Sequence, residues 1–171
     1  AQQEEEVIWE ALVPALDEAV EKFVAMRTVE GENLKKDILL KGERIRALVA
    51  EVKERSPLVV VEYQEKLNSR LKDLLGGVDV DPQRIATEVA VFADRGCVDE
   101  EVTRLESHLI QLKDILDGGG QVGRKLDFLI QEMNRESNTI ASKANDIQIV
   151  KATIELKSEI EKIREQIQNL E

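Results

Sequence analysis

Cysteine, proline and aromatic residues are scarce in this sequence of 171 residues. The one cysteine, Cys97, excludes an internal disulfide and a cysteine-rich zinc site within one chain. Aromatic residues make up only 3% of the chain, so burial must depend on Leu, Ile, Val and Ala. The sequence contains no run of about 18 apolar residues, which argues against a membrane-spanning helix. We therefore expect a reducing, cytoplasmic setting and no membrane partner.

Charged residues, by contrast, make up 35% of the chain, and with only three prolines this composition is typical of long helices. The net charge of −11 argues against a general basic surface for nucleic acid. The charge is uneven, because residues 121–171 hold 8 basic and 9 acidic side chains and are nearly balanced. Local positive patches are therefore expected in the last third of the chain.

The apolar spacing predicts an all-α protein built from antiparallel helices. Ser56-Pro57 is a typical signal for ending one helix and starting another, while Asp81 and Asp99 are predicted N-caps. The glycines Gly118–Gly120 predict a loop. The predicted helices span residues 4–27 (with a kink or a later start at Pro14), 30–55, 57–75, 82–94, 100–116, 122–144 and 146–170.

The segment Gly123–Lys143 carries an unusual variety of polar groups on a predicted helix. Glu132 and Glu136 are one turn apart, and such a pair of carboxylates can share a divalent metal such as Mg²⁺ or Mn²⁺. The neighbouring Arg124, Arg135 and Lys143 could hold phosphate oxygens. On the pattern alone, a solvated helix face with ion pairs one turn apart is the favoured interpretation.

The single histidine, His108, is the other candidate for chemistry. A lone histidine on a helix is usually structural or solvated, but Glu101, Arg104 and His108 recur at helical spacing and share one face. That placement makes both Arg104 and His108 candidates for a functional site.

Two stretches, GRKLDFLIQEMNRESNTIASKAND and IELKSEIEKIREQIQNLE, strongly resemble the YicC/YloC-like bacterial endoribonucleases. The upstream EEVTRLESHLIQL resembles the same family, and the likeness is specific over about residues 84–171. Residues 1–83 resemble the family more loosely. The resemblance implies residues 1–80 as an extended helical arm, the rear part of the family's N-terminal region. It implies residues 81–171 as the conserved C-terminal helical bundle.

The resemblance also implies a divalent-metal-dependent enzyme (Mn²⁺ or Mg²⁺) that cuts single-stranded RNA and assembles as a homo-oligomer, a ring-like hexamer. It implies that this chain is the C-terminal part of a longer protein, or a truncated form, and lacks the β-containing start of the N-terminal region. We therefore expect weak cleavage or none from the 171 residues alone. The alternative is a non-catalytic helical oligomerisation module, whose polar stretch would form hydrogen bonds between subunits.

The leading hypothesis assigns the following roles from chemistry. Glu132 and Glu136 are metal ligands, joined by Asp127, and His108 is a general acid/base or a further ligand. The RNA phosphates would be bound by Arg104, Arg124, Arg135 and Lys143.

Overall fold

The computed structural model describes residues 2–76 and 80–168, with side chains from residue 6 onward. The all-α prediction is confirmed, since no strand occurs in those ranges. The first element is a helix of 74 residues, α1 (Gln2–Leu75). No helix in the described ranges combines the length and apolar character that a membrane crossing would need.

The prediction of three separate helices over residues 4–75 was wrong, because α1 continues through Pro14 and Pro57. A proline in a helix removes one backbone hydrogen bond and usually bends or ends the helix. Arg55 donates two hydrogen bonds, of 2.6 and 2.8 Å, to Glu62, two turns further on, and so spans the proline.

Four shorter helices follow: α2 (Pro82–Arg95), α3 (Asp99–Gly118), α4 (Gly123–Lys143) and α5 (Ile147–Ile167). Their limits agree with the predicted ones to within a few residues, although residues 77–79 and 169–171 lie outside the described ranges. Asp81 caps α2 as predicted, its side chain accepting from the Gln83 N–H. Asp99 does not cap α3: it is the first residue of the helix, and the N-cap, Val98, makes no side-chain hydrogen bond.

The loop between α3 and α4 and the joint between α4 and α5 differ in how they turn. Gly119 and Gly120 have φ of 63° and 80°, a region that favours glycine. At the other joint, Asp146 caps α5 by accepting from the backbone N–H groups of Gln148 and Ile149.

Helix α4 packs between α3 and α5. Across α3 and α4, Glu101 meets Lys143 and Arg104 meets Glu136, so residue numbers rise on one helix as they fall on the other. The two helices are therefore antiparallel, as predicted. Their core is aliphatic, and its largest fully buried members in α3–α5 are Leu105, Leu112, Leu126, Ile130, Met133, Ile140, Leu156, Ile160 and Ile163.

The chain divides into two compact units inside α1, at residues 1–38 and 39–171. The division predicted after residue 80 stays a prediction. Within the first unit, large apolar side chains of α1 are exposed to solvent: Val7, Ile8, Trp9, Leu12, Leu16, Val20, Phe23, Val24, Met26 and Val29. The second unit contains the rest of α1, α2–α5 and every buried apolar core residue of the described ranges except Ile38.

Candidate metal and phosphate site on α3 and α4

One histidine and two carboxylates converge where α3 faces α4. Single ligand atoms of His108, Glu132 and Glu136 all lie within 4.8 Å of one another. The two glutamates share a face of α4 because they are four residues apart, and the antiparallel packing brings His108 opposite them. We call these three residues the α3–α4 cluster. The cluster contains two predicted metal ligands, Glu132 and Glu136, and the histidine predicted to be an acid/base or a further ligand.

Arg104 lies beside this cluster and contacts it weakly. Its Nη1 is 3.4 Å from both carboxylate oxygens of Glu136, while its Nη2 donates a 2.8 Å hydrogen bond to Glu100. Glu136 is buried, being only 3% exposed, whereas about half of the Arg104 side chain is accessible. A buried carboxylate normally takes several short hydrogen bonds. Glu136 instead has only long contacts, from its two oxygens to one nitrogen of Arg104. The Arg104 guanidinium makes its shorter hydrogen bond to Glu100.

His108 is also incompletely satisfied. Its Nδ1 is buried and has no hydrogen-bond partner among the described residues. A neutral imidazole offers one nitrogen as an acceptor or as a metal ligand, and one ring nitrogen of His108 lies within 4.8 Å of a carboxylate oxygen of each glutamate. One nitrogen and carboxylate oxygens form a donor set that divalent transition metals accept. The residues present therefore fit a divalent cation.

The other predicted site residues lie at different distances from the cluster. Arg135 is exposed and its Nη1 is 3.5 Å from Glu132, so it borders the cluster. Asp127 does not join the three ligand atoms, and its Oδ2 accepts a 2.8 Å hydrogen bond from Gln131. Arg124 is exposed two turns before Glu132 and lines a groove of about 380 Å³. Of the predicted phosphate-binding residues, Arg104 and Arg135 contact the cluster directly.

Lys143 makes a buried contact that sequence reasoning did not identify. Its Nζ donates hydrogen bonds to Glu101 Oε1 at 2.9 Å and to the backbone carbonyl of Cys97 at 3.0 Å. Glu101 is buried, and its Oε2 has no partner in the described part of the chain. The sequence placed Glu101 on the face of Arg104 and His108, but nothing local indicated that Lys143 would reach it.

A second ion-pair cluster, which we call the Arg55 cluster, joins Arg55, Glu62 and Asp146. Arg55 donates to both oxygens of Glu62, and its Nη2 and Nε lie 2.8 and 3.2 Å from Asp146 oxygens. These hydrogen bonds, first to Glu62 and then to Asp146, raise the pKa of Arg55. They also lower the pKa of Glu62. The pKa of Asp146 falls from 3.8 to about 2, chiefly through the hydrogen bonds from Arg55, with help from the Ile149 and Gln148 N–H groups.

The family models cover both parts of the chain. Residues 52–171 match the family described as endoribonuclease YicC-like, C-terminal, and residues 1–36 match the endoribonuclease YicC-like, N-terminal region. The C-terminal match contains both the α3–α4 cluster and the Arg55 cluster.

Two curated relatives align with nearly the whole chain. It is 44% identical over 171 residues to the probable endoribonuclease YicC of Clostridioides difficile, and 42% identical over 170 residues to that of Haemophilus influenzae. Each alignment covers 99% of this chain and 58% of the relative. The chain therefore spans 58% of the length of these relatives. It belongs to the YicC-like endoribonuclease family.

Proposed function

We propose that this chain carries the metal-binding part of an endoribonuclease that cleaves single-stranded RNA. The convergence of His108, Glu132 and Glu136 is the observation that supports this most strongly. The name of the two relatives, probable endoribonuclease, agrees with a phosphodiester as the bond that is cut. The α3–α4 cluster would hold the metal, and the basic residues beside it would hold the RNA backbone.

The donor set favours Mn²⁺ over Mg²⁺. Mg²⁺ takes oxygen ligands almost entirely, whereas transition metals accept imidazole nitrogen as well as carboxylate oxygen. A bound cation of this kind supplies a water of lowered pKa and positive charge beside a phosphate. Glu132 and Glu136 would bind it through oxygen, and His108 through a ring nitrogen.

The arginines beside the cluster have the right chemistry for the scissile phosphate. A guanidinium can donate two parallel hydrogen bonds to phosphate oxygens. Arg104 and Arg135 both contact a cluster carboxylate, at 3.4 and 3.5 Å, and both remain accessible to solvent. Arg124 lies further along α4 and would contact RNA beyond the cleaved bond. Lys143 is already engaged by Glu101, so its contribution would be the weakest of the four.

The test is to replace Glu132 and Glu136 by Gln, singly, in the full-length protein. Each change keeps the side-chain size and removes the charge that a metal requires. We expect Mn²⁺-dependent cleavage of a labelled single-stranded RNA to fall by about 100-fold or more, because each change removes a metal ligand. A matched control is Glu161→Gln, which changes an accessible glutamate of α5 paired with Arg164. Unchanged cleavage by a folded Glu132→Gln or Glu136→Gln variant would refute the proposal.

The exposed apolar side chains of the first unit favour a second function, self-assembly. Large apolar side chains exposed together usually mark an interaction surface. Ile8, Leu12 and Leu16 follow one another at four-residue spacing and so lie on one stripe of α1. A homo-oligomer, such as the hexamer that the sequence resemblance implies, would bury this stripe between subunits. Leu12→Glu with Leu16→Glu should lower the molar mass measured by light scattering, and an unchanged mass would exclude this surface.

A further inference from the structure

Helix α2 forms one wall of a cavity that the proposed metal site does not use. None of its residues is buried, and it meets α1 through two aromatic rings. The rings of Tyr63 and Phe92 are stacked, with centroids 3.8 Å apart and planes within 5° of parallel. A cavity of about 360 Å³ opens beside this pair and is closed on its other side by the C-terminal end of α4. That volume is in the range of small-ligand sites.

The polar side chains of this cavity differ in charge and in hydrogen-bonding capacity. Arg95 and Lys143 are cations, and Asn145 adds an amide that can both donate and accept hydrogen bonds. Glu88, two turns before Arg95 on the same face of α2, is an acceptor. Lys143 uses two donors on Glu101 and the Cys97 carbonyl, and an ammonium group carries three. The cavity is therefore lined by aromatic rings, by cations and by hydrogen-bond acceptors.

This combination matches one nucleotide of a single strand. Bases of every kind stack on aromatic rings, and the backbone phosphate is held by cations. The exocyclic amino groups of adenine, cytosine and guanine can donate hydrogen bonds to a carboxylate. We infer that the cavity between α1, α2 and the end of α4 is a nucleotide-binding subsite for single-stranded RNA. In it the base stacks on the Tyr63–Phe92 pair and the phosphate lies at Arg95.

The position of the cavity links it to the proposed site. Lys143 lines the cavity and is seven residues from Glu136 on α4, or about 10 Å along the helix axis. Lys143 of the cavity pairs with Glu101 on α3, and Arg104, one turn further along α3, contacts Glu136, so this pair of helices connects the cavity to the cluster. A strand held in the cavity would thus pass toward the α3–α4 cluster. This inference rests on the proposed function for its choice of RNA as the ligand.

Binding without metal tests the subsite separately from cleavage. The probe is a fluorescein-labelled oligoadenylate of about ten nucleotides, titrated by anisotropy with the full-length protein in EDTA at several salt concentrations. Phe92→Leu keeps an apolar side chain but removes the ring, and we expect about tenfold weaker binding with an unchanged salt slope. Phe92→Tyr restores the ring and should restore the affinity. Equal affinities of Phe92→Leu and Phe92→Tyr would mean that the side chain matters only through its apolar volume, and would overturn stacking of a base on this ring.

Arg95→Gln gives an independent readout. Loss of one phosphate contact to a single strand should reduce the slope of log K against log salt by about 0.7. Arg84→Gln is the matched control, since Arg84 is exposed on α2 three turns before Arg95 and outside the cavity. The slope of this control should stay at the wild-type value. Arg95 is also exposed, so its replacement should leave the fold intact.

Each outcome decides the inference. Wild-type affinity and slope in Phe92→Leu and Arg95→Gln, or no binding of the probe by the wild type, would overturn the subsite. If Mn²⁺-dependent cleavage is nevertheless present, the proposed function stands without it. If the binding changes appear as expected but no metal-dependent cleavage is found, the subsite stands and the proposed nuclease function falls.

Discussion

The Arg55 cluster and the α3–α4 cluster contain similar groups but are built differently. In the first, Arg55 meets Glu62 and Asp146 through short hydrogen bonds of 2.6–2.8 Å, supported by one of 3.2 Å. In the second, Arg104 reaches Glu136 only at 3.4 Å, and the buried Nδ1 of His108 has no partner among the described residues. Both clusters place carboxylates near an arginine. The hydrogen bonds between these groups are mostly short in the first cluster and long or missing in the second.

This difference separates a structural role from a binding role. Short, bidentate pairs fix the geometry of their side chains, and removing one partner of a buried pair destabilises the fold because the other charge is left uncompensated. The Arg55 cluster spans Pro57 and anchors the cap of α5, so it connects α1 to the α4–α5 joint. Buried groups left with long contacts or none cost stability unless a ligand completes them. We therefore propose that the α3–α4 cluster binds a ligand, whereas the Arg55 cluster makes its short hydrogen bonds within the chain.

Loss of Asp146 should give the largest effect on stability. Asp146→Ala removes the cap of α5 and leaves Arg55 with Glu62 alone, so we expect the free energy of unfolding to fall by about 2–4 kcal/mol. Chemical denaturation followed by circular dichroism measures this. Asp114→Ala, at an exposed position of α3, is the control and should change stability by less than about 0.5 kcal/mol. A loss as small as that of the control would show that the Arg55 cluster is not structural.

Loss of His108 should act on metal affinity. Because the His108 ring is proposed as a ligand, His108→Ala should raise the Mn²⁺ concentration needed for half-maximal RNA cleavage by about 10–100-fold. Saturating Mn²⁺ should then restore part of the rate. If the rate falls while the metal dependence is unchanged, His108 transfers protons and does not bind the metal.

Arg104 should compete with the metal for Glu136. Removing its charge in Arg104→Gln should tighten Mn²⁺ binding by about 3–10-fold, measured by isothermal titration calorimetry. Arg135→Gln removes an equal charge that is 3.5 Å from Glu132 and more exposed, and it should change the affinity by less than about twofold. Equal changes in the two variants would mean that net charge alone sets the affinity.

The acid sensitivity of the Arg55 cluster should give the smallest effect under ordinary conditions. The pKa of Asp146 is lowered to about 2, so its stabilising contribution is complete above its ordinary pKa of 3.8 and is lost as the pH falls through about 2. Urea denaturation should show the free energy of unfolding decreasing over this interval. Asp146→Asn should lack that part of the decrease, and an identical pH dependence in the variant would contradict the assignment.

Local patterns predicted most of the helices and singled out each residue of the α3–α4 cluster, but they did not show that the three come together. Apolar spacing located α2–α5, and four-residue spacing paired Glu132 with Glu136, because both depend on neighbours along one helix. The break predicted at Ser56-Pro57 was wrong, because α1 continues through the proline. A Ser-Pro pattern expresses a local preference, and tertiary context often overrides such preferences.

Long-range contacts account for what the sequence did not reveal. Arg55 and Asp146 are 91 residues apart, and Lys143 and Glu101 are 42 apart, so no spacing rule connects them. His108 was a candidate through its position on the face of Arg104, but its approach to Glu132 and Glu136 depends on the register of α3 against α4. The Tyr63–Phe92 stack likewise joins two helices and has no local signature.

The position of a bound metal tests the central claim most directly. Crystals of the full-length protein soaked in Mn²⁺ would be measured near the manganese absorption edge, where anomalous scattering locates the ion. We predict a peak bound by His108, Glu132 and Glu136, with Arg104 displaced from Glu136. A manganese peak elsewhere, with these three side chains arranged as they are now, would contradict the assignment of a metal site.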